Sequence, residues 1–112
     1  MKGKNKQLTR AALEIVATRF RALSDASRLQ ILQHLFNSEQ SVQALCELSG
    51  MSQANVSKHL SVLAEQGIVQ KRRQGLFVYY SIADSSIYQL CDIVCSAVGK
   101  RYGQVMKEFA EP

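Results

Sequence analysis

Proline is nearly missing from this chain of 112 residues; its one instance is Pro112. With no internal proline to break them, and with 46% of residues hydrophobic, a folded and largely helical globular chain is expected. Long apolar runs are also missing. No stretch approaches the roughly 18 apolar residues of a membrane span, so a transmembrane protein is not expected. The opening MKGKNKQLTR is basic but leads into no apolar core, which argues against a secretory leader and for the cytoplasm. Cysteine is sparse and odd in number, at 3, which argues against a disulfide framework and leaves free thiols. Histidine is limited to His34 and His59, and neither sits in a catalytic motif. No nucleophile–base–acid set and no nucleotide-binding glycine loop is present, so no enzyme is expected.

What is present is a net charge of +5, which suits an acidic partner such as nucleic acid. The length fits one domain with a modest core. Residues 1–7 read as a basic, frayed tail, and residues 8–110 as a single domain. A first helix is expected over 8–23, with Leu8, Ala12, Ile15 and Val16 on one side. Ser24 and Asp25 offer a cap for a second helix over 28–36, apolar around most of its girth and therefore central. Residues 37–40 read as a turn. Ser41 caps a short third helix, VQALCELS, which Gly50 ends.

The chain is organised around the next stretch, SQANVSKHLSVLAEQ, closed by Gly67. Ser52 is a good N-cap, and Val56, Leu60 and Leu63 form the stripe that such a helix buries. The opposite face carries Ala54, Ser57, Lys58 and Ser61, with Gln53 and Asn55 near the N-terminal end. These side chains are short, amide-bearing or basic, and they suit the floor of a DNA major groove. By itself such a face is most often a solvated one. Its setting decides otherwise: a short helix, a tight turn with Gly50 and a longer helix make a helix-turn-helix over 41–66. The second helix of that motif enters the major groove by its N-terminal end.

After Gly67 the apolar period changes from helical to alternating. Residues 68–73 and 76–82 read as strands joined at Gln74-Gly75, with Leu76, Val78, Tyr80 and Ile82 sharing one face. Lys71, Arg72 and Arg73 cluster just before the tip. A basic hairpin behind a groove-facing helix is a wing, placed to touch backbone or minor groove; without the helix-turn-helix it would be an ordinary solvated hairpin. Asp84 then caps a last helix over 84–109, with Ile87, Leu90, Cys91, Val94, Val98, Val105 and Phe109 on one stripe, weakened by Gly99 and Gly103. The apolar faces of the first and last helices exceed what so small a domain covers internally, so a homodimer is expected through them.

Two segments, ALSDASRLQILQHL and SQANVSKHLSVLAEQGIVQKRRQGLFVYYSI, resemble the ArsR/SmtB family of bacterial winged-helix repressors. Asp25, Arg28, Ser57, His59, Leu60, Leu63, Gly67 and the aromatic wing strand carry the likeness. It implies a mainly α fold of about five helices and two strands, winged and homodimeric, binding an inverted-repeat operator until an inducer lowers DNA affinity. Carried onto these positions, Ser52, Gln53, Asn55, Ser57 and Lys58 face bases or phosphates, with Lys71, Arg72 and Arg73 on the wing. His59 lies toward the buried side and reads as a packing or hydrogen-bonding residue. Arg28 reads as a structural cation anchoring the second helix.

The family's metal sites are incomplete here. One needs a Cys-x-Cys pair ahead of the third helix's last cysteine; Cys46 matches only that last position, and Ser41 and Gln43 stand where the pair should be. Another, along the last helix, finds Asp84 in place but Ser86, Ala97 and Lys100 at its other positions, none a credible zinc ligand. No metal site is therefore assigned. Cys91 and Cys95, four apart, lie on one helix face and could hold a soft metal or metalloid ion or react with an oxidant, with Cys46 as a third thiol if the helices approach. They equally suit core packing, and both readings stay open. Such a pair does not easily close a disulfide, since its Cα atoms sit about 6 Å apart with parallel Cβ vectors. Two rivals remain: a winged helix used for protein contacts, which would favour exposed aromatics over a polar helix face, and a regulator with no metal site that is signalled by a protein or another ligand.

Overall fold

The computed structural model describes residues 7–103. Within them the order is α1 (Arg10–Leu23), α2 (Ala26–Leu35), β1 (Gln40–Ser41), α3 (Val42–Ser49), α4 (Gln53–Glu65), β2 (Val69–Gln74), β3 (Phe77–Ile82) and α5 (Ser86–Tyr102). They form two compact units, one running to Ile82 and one beginning at Ala83. The first is a winged helix-turn-helix. Tail residues 1–6, and the expected extension of the last helix through Val105 and Phe109, lie outside the described residues.

Side-chain oxygens set where the helices start. Thr9 Oγ1 accepts from Ala12 N, Ser41 Oγ from Ala44 N and Ser52 Oγ from Asn55 N, at 3.0–3.2 Å. Asp25 Oδ1 takes two amides, from Ser27 at 2.9 Å and Arg28 at 3.1 Å. These caps place the first helix two residues later than its apolar pattern suggests and the second two residues earlier. Between α3 and α4 the chain reverses at Gly50, whose φ of 76° lies in the left-handed region that side chains avoid.

Among the described residues, those buried in the first unit are apolar apart from the Tyr80 hydroxyl. Ile31, Leu32 and Leu35 of α2, Leu45 of α3, Val56, Leu60 and Leu63 of α4, and Ile68 before the wing are at most 2% exposed. Helix α2 packs on α1, α3, α4 and β3, the central position its girth implies.

Two strands are expected, and three are present among the described residues. The extra one, β1, pairs Gln40 with Tyr80 and Ser41 with Tyr79, giving an antiparallel sheet in the order β1-β3-β2. Two residues are too few to carry a period, and their pairing depends on a strand forty residues away. The turn read over 37–40 therefore ends one residue early, at Glu39, and Gln40 opens β1. The wing turn also moves by one residue: Gln74 pairs with Phe77, so the tip is Gly75-Leu76 and Leu76 leaves the strand, 94% exposed.

In the second unit, Asp84 Oδ1 accepts from Ser86 N at 3.0 Å and from Ser86 Oγ at 2.7 Å, bracing the start of α5 from just outside it. The helix runs through Gly99 unbroken. Ile87 is buried, whereas Ile93, Val94 and Tyr102 are exposed.

Candidate nucleic-acid interface

Helix α4 divides by burial as its sequence divides by polarity. Val56, Leu60 and Leu63 have no exposed surface, while Gln53, Ala54, Asn55, Ser57, Lys58 and Ser61 are all exposed. Among the described residues, no hydrogen bond or ion pair engages the side chains of Gln53, Asn55, Ser57 or Lys58. Short and amide side chains thus stand free at the positive end of a helix dipole, beside backbone N–H groups that favour anions.

The helix is held at its middle and at its far end by residues from other helices. Arg28 donates from Nε to Ala22 O at 2.7 Å and from Nη2 to Arg21 O at 3.2 Å, while its Nη1 meets His59 Nδ1 at 3.2 Å. A guanidinium can only donate, so Nδ1 is the acceptor in this contact. Arg28 thereby ties the end of α1, the start of α2 and the middle of α4 together. Its nearest acid is Asp25, at 3.9 Å, whose carboxyl sits below its ordinary range chiefly because the Arg28 amide bonds it. At the far end, Arg19 Nη1 donates to Gln66 O, one of the carbonyls the helix leaves open. Arg28 and His59 thus have the anchoring and hydrogen-bonding surroundings expected of them. Arg19 carries no signal in sequence, because a lone arginine on a solvated helix looks like any other.

On the wing, strand alternation separates the three cations. The register pairs Lys71 with Tyr80 and Arg73 with Val78, on the face that also carries Val69 and Ile82. This face turns toward the helix-turn-helix: Lys71 and Tyr80 line a cavity of about 600 Å³ with Cys46 of α3 and with Gln53 and Ser57 of α4. Arg72 lies on the other face, opposite Tyr79. Its Nε and Nη2 bond both oxygens of Glu39, at 2.7 and 2.9 Å, and Nη1 bonds Gln74 Oε1 at 2.7 Å. The guanidinium carbon lies 4.8 Å from the centre of the Tyr79 ring. This pairing lowers the Glu39 carboxyl pKa and raises that of Arg72. Ser52, Gln53, Asn55, Ser57, Lys58, Lys71 and Arg73 are therefore exposed around the open side of the motif, and Arg72 is engaged elsewhere.

The model of the bacterial regulatory protein, arsR family, matches residues 25–71, from the Asp25 cap into β2. The HTH-type transcriptional regulator NmtR of Mycobacterium tuberculosis is 39% identical over 84 residues, 75% of this chain and 69% of that protein. The chain belongs to the arsR family. The probable mercury resistance operon repressor of Streptomyces lividans is 41% identical over 71 residues, 63% of this chain. The chain spans only 57% of that repressor's length. The solution structure of a homodimeric winged helix-turn-helix DNA-binding domain from Mycobacterium bovis, a possible ArsR-family regulator, superposes with a TM-score of 0.76 at 32% identity. The match covers 95% of this chain and 98% of that one.

The thiols of this arsR-family chain are scattered in setting. Cys46 and Cys91 are half-buried and Cys95 is exposed. Burial pushes the Cys91 thiol above its ordinary value, and Cys95 one turn away adds to the shift. Among the described residues, no three His, Cys, Asp or Glu side chains group to hold a metal ion. No helix there is long and apolar enough to cross a membrane.

Proposed function

We propose that this chain is a cytoplasmic, sequence-specific DNA-binding regulator that represses transcription as a homodimer on an inverted-repeat operator. The observation that carries the reading is the free polar N-terminal face of α4, backed by a fully buried stripe. Gln53, Asn55 and Ser57 are the base readers, since amides match adenine edges and hydroxyls match several groups. Ser52, Lys58, Lys71 and Arg73 meet phosphates, so affinity falls steeply with salt. Homodimerisation is supported by the apolar faces that α1 (Ile15, Phe20) and α5 (Ile93, Val94) each leave exposed, and by the homodimeric relative. Two copies would set their α4 helices in successive major grooves about 34 Å apart.

Fluorescence-anisotropy titration of the chain's own upstream DNA against scrambled DNA tests this. Tight, salt-dependent and selective binding is expected. Equal affinity for both DNAs sinks the regulator reading.

Release by an inducer is supported by the relative's link to mercury resistance. Cys91 and Cys95 would offer two thiolates to a soft metal or metalloid ion or to a thiol-reactive species, with Cys46 as a further thiol. The second reading is a regulator with no metal site, signalled by a protein partner or another ligand. The raised Cys91 pKa, with the thiol half-buried on α5, favours it, since it keeps thiolate scarce at neutral pH. The titration repeated with arsenite, zinc, copper(I) and an oxidant separates them. Release that Cys91→Ser/Cys95→Ser abolishes assigns the thiols, and indifference to every agent leaves the second reading.

A further inference from the structure

Arg72 stands out among the basic residues near α4 because its charge is already spent. A side chain poised for phosphate should be free, as Lys58 is. Instead the Arg72 guanidinium reaches from β2 over the ring of Tyr79 on β3 and ends on Glu39, just ahead of β1. It crosses the sheet from one edge to the other. Exposed ion pairs contribute little on average, but a two-point arginine–carboxylate contact is the geometry in which they do matter. A stacked ring beneath the guanidinium adds to it. The Glu39 side chain is 34% exposed and that of Arg72 50%, so water reaches the contact only in part.

Alternation gives this contact its consequence. Arg72 sits between Lys71 and Arg73, and successive side chains point to opposite faces. Fixing Arg72 on the outer face therefore fixes both neighbours on the inner one, toward α3 and α4. Without it, β2 is an edge strand paired on one side only, free to twist and carry its two cations out of line.

We infer that Glu39 and Arg72 are positioning residues: they form a clamp across the wing that holds Lys71 and Arg73 toward DNA, and Arg72 itself is not a phosphate ligand. The inference rests on the DNA-binding reading. A phosphate ligand and a clamp differ in sign at Glu39. If Arg72 served phosphate, Glu39 would compete with DNA and its removal would tighten binding.

The test is a titration series in salt for wild type, Glu39→Ala, Arg72→Ala, Arg72→Lys, Arg73→Ala and the Glu39→Ala/Arg72→Ala pair. Arg73→Ala should reduce the log–log salt slope by about one per bound subunit. Arg72→Ala and Glu39→Ala should each weaken binding by a similar factor, about fivefold, with the wild-type slope kept, and the pair should be no worse than either alone. Arg72→Lys, which keeps charge but loses the two-point contact, should behave like Arg72→Ala. A slope reduced by Arg72→Ala, full binding by Arg72→Lys or tighter binding by Glu39→Ala overturns the clamp. If wild type binds no DNA, the regulator reading fails first. Amide exchange then still decides: Glu39→Ala must speed exchange in the β2–β3 ladder, and an unchanged ladder overturns the clamp.

Discussion

Single oxygen atoms fix where α2, α3 and α4 begin, on Asp25, Ser41 and Ser52. Each cap satisfies an amide that the first turn cannot bond itself. Ser52→Ala should therefore cost about 1 kcal/mol, read by urea denaturation, and should loosen the end of α4 that bears Gln53 and Asn55. Asp25 adds a pH signature. Amides and the nearby Arg28 hold its carboxyl below the ordinary value of 3.8, so the folded state binds the proton more weakly than the unfolded one. Its contribution is complete above that ordinary value and is lost as pH falls through the depressed one. Thermal melts of Asp25→Asn should show a flatter decline than wild type below about pH 4. An identical decline would mean that Asp25 is not the group titrating. Gln53→Ala and Asn55→Ala should each leave melting unchanged while reducing operator discrimination by about 1–3 kcal/mol in competition titrations.

At the scale of elements, α4 is useful because it cannot roll. Its apolar stripe is fully buried, Arg28 holds His59 near its middle, and Arg19 holds its last turn. Leu60→Ala should lose about 2–5 kcal/mol in denaturation, from transfer and cavity terms together. Arg28→Ala strands the His59 ring nitrogen and the Ala22 carbonyl, while Ser24 N still bonds the Arg21 carbonyl, and a loss of about 2–3 kcal/mol is expected by the same measurement. Stripe, caps and Gly50 were all legible in sequence, because each acts within a few residues of itself. The staple between Arg28 and His59 was legible only as two separate roles, since nothing local pairs residues 31 apart. Neither β1 nor the grip of Glu39 on Arg72 has a local signal: a two-residue strand shows no period, and an exposed glutamate announces no partner.

For the whole molecule, the unspent apolar surface is the argument. Ile15 is 71% exposed on α1 and Ile93 66% on α5, and each such apolar side chain gains by being covered. Ile15→Asp and Ile93→Asp should each shift sedimentation toward monomer at micromolar concentration. Operator affinity should fall by about 100-fold, as two linked α4 helices become independent ones. Variants that remain dimeric would place the interface on other surfaces.

The sequence by itself determined the helix-turn-helix, the polarity of its exposed face, the wing and the family, because amphipathic period, caps and turn glycines are local properties. Only the tertiary structure decided which wing cations are free. Strand register is a property of two paired segments, and it placed Lys71 and Arg73 on one face and Arg72 on the other. Glu39 then took Arg72 across the sheet. Three adjacent basic residues are one cluster in sequence; pleated, they serve two faces.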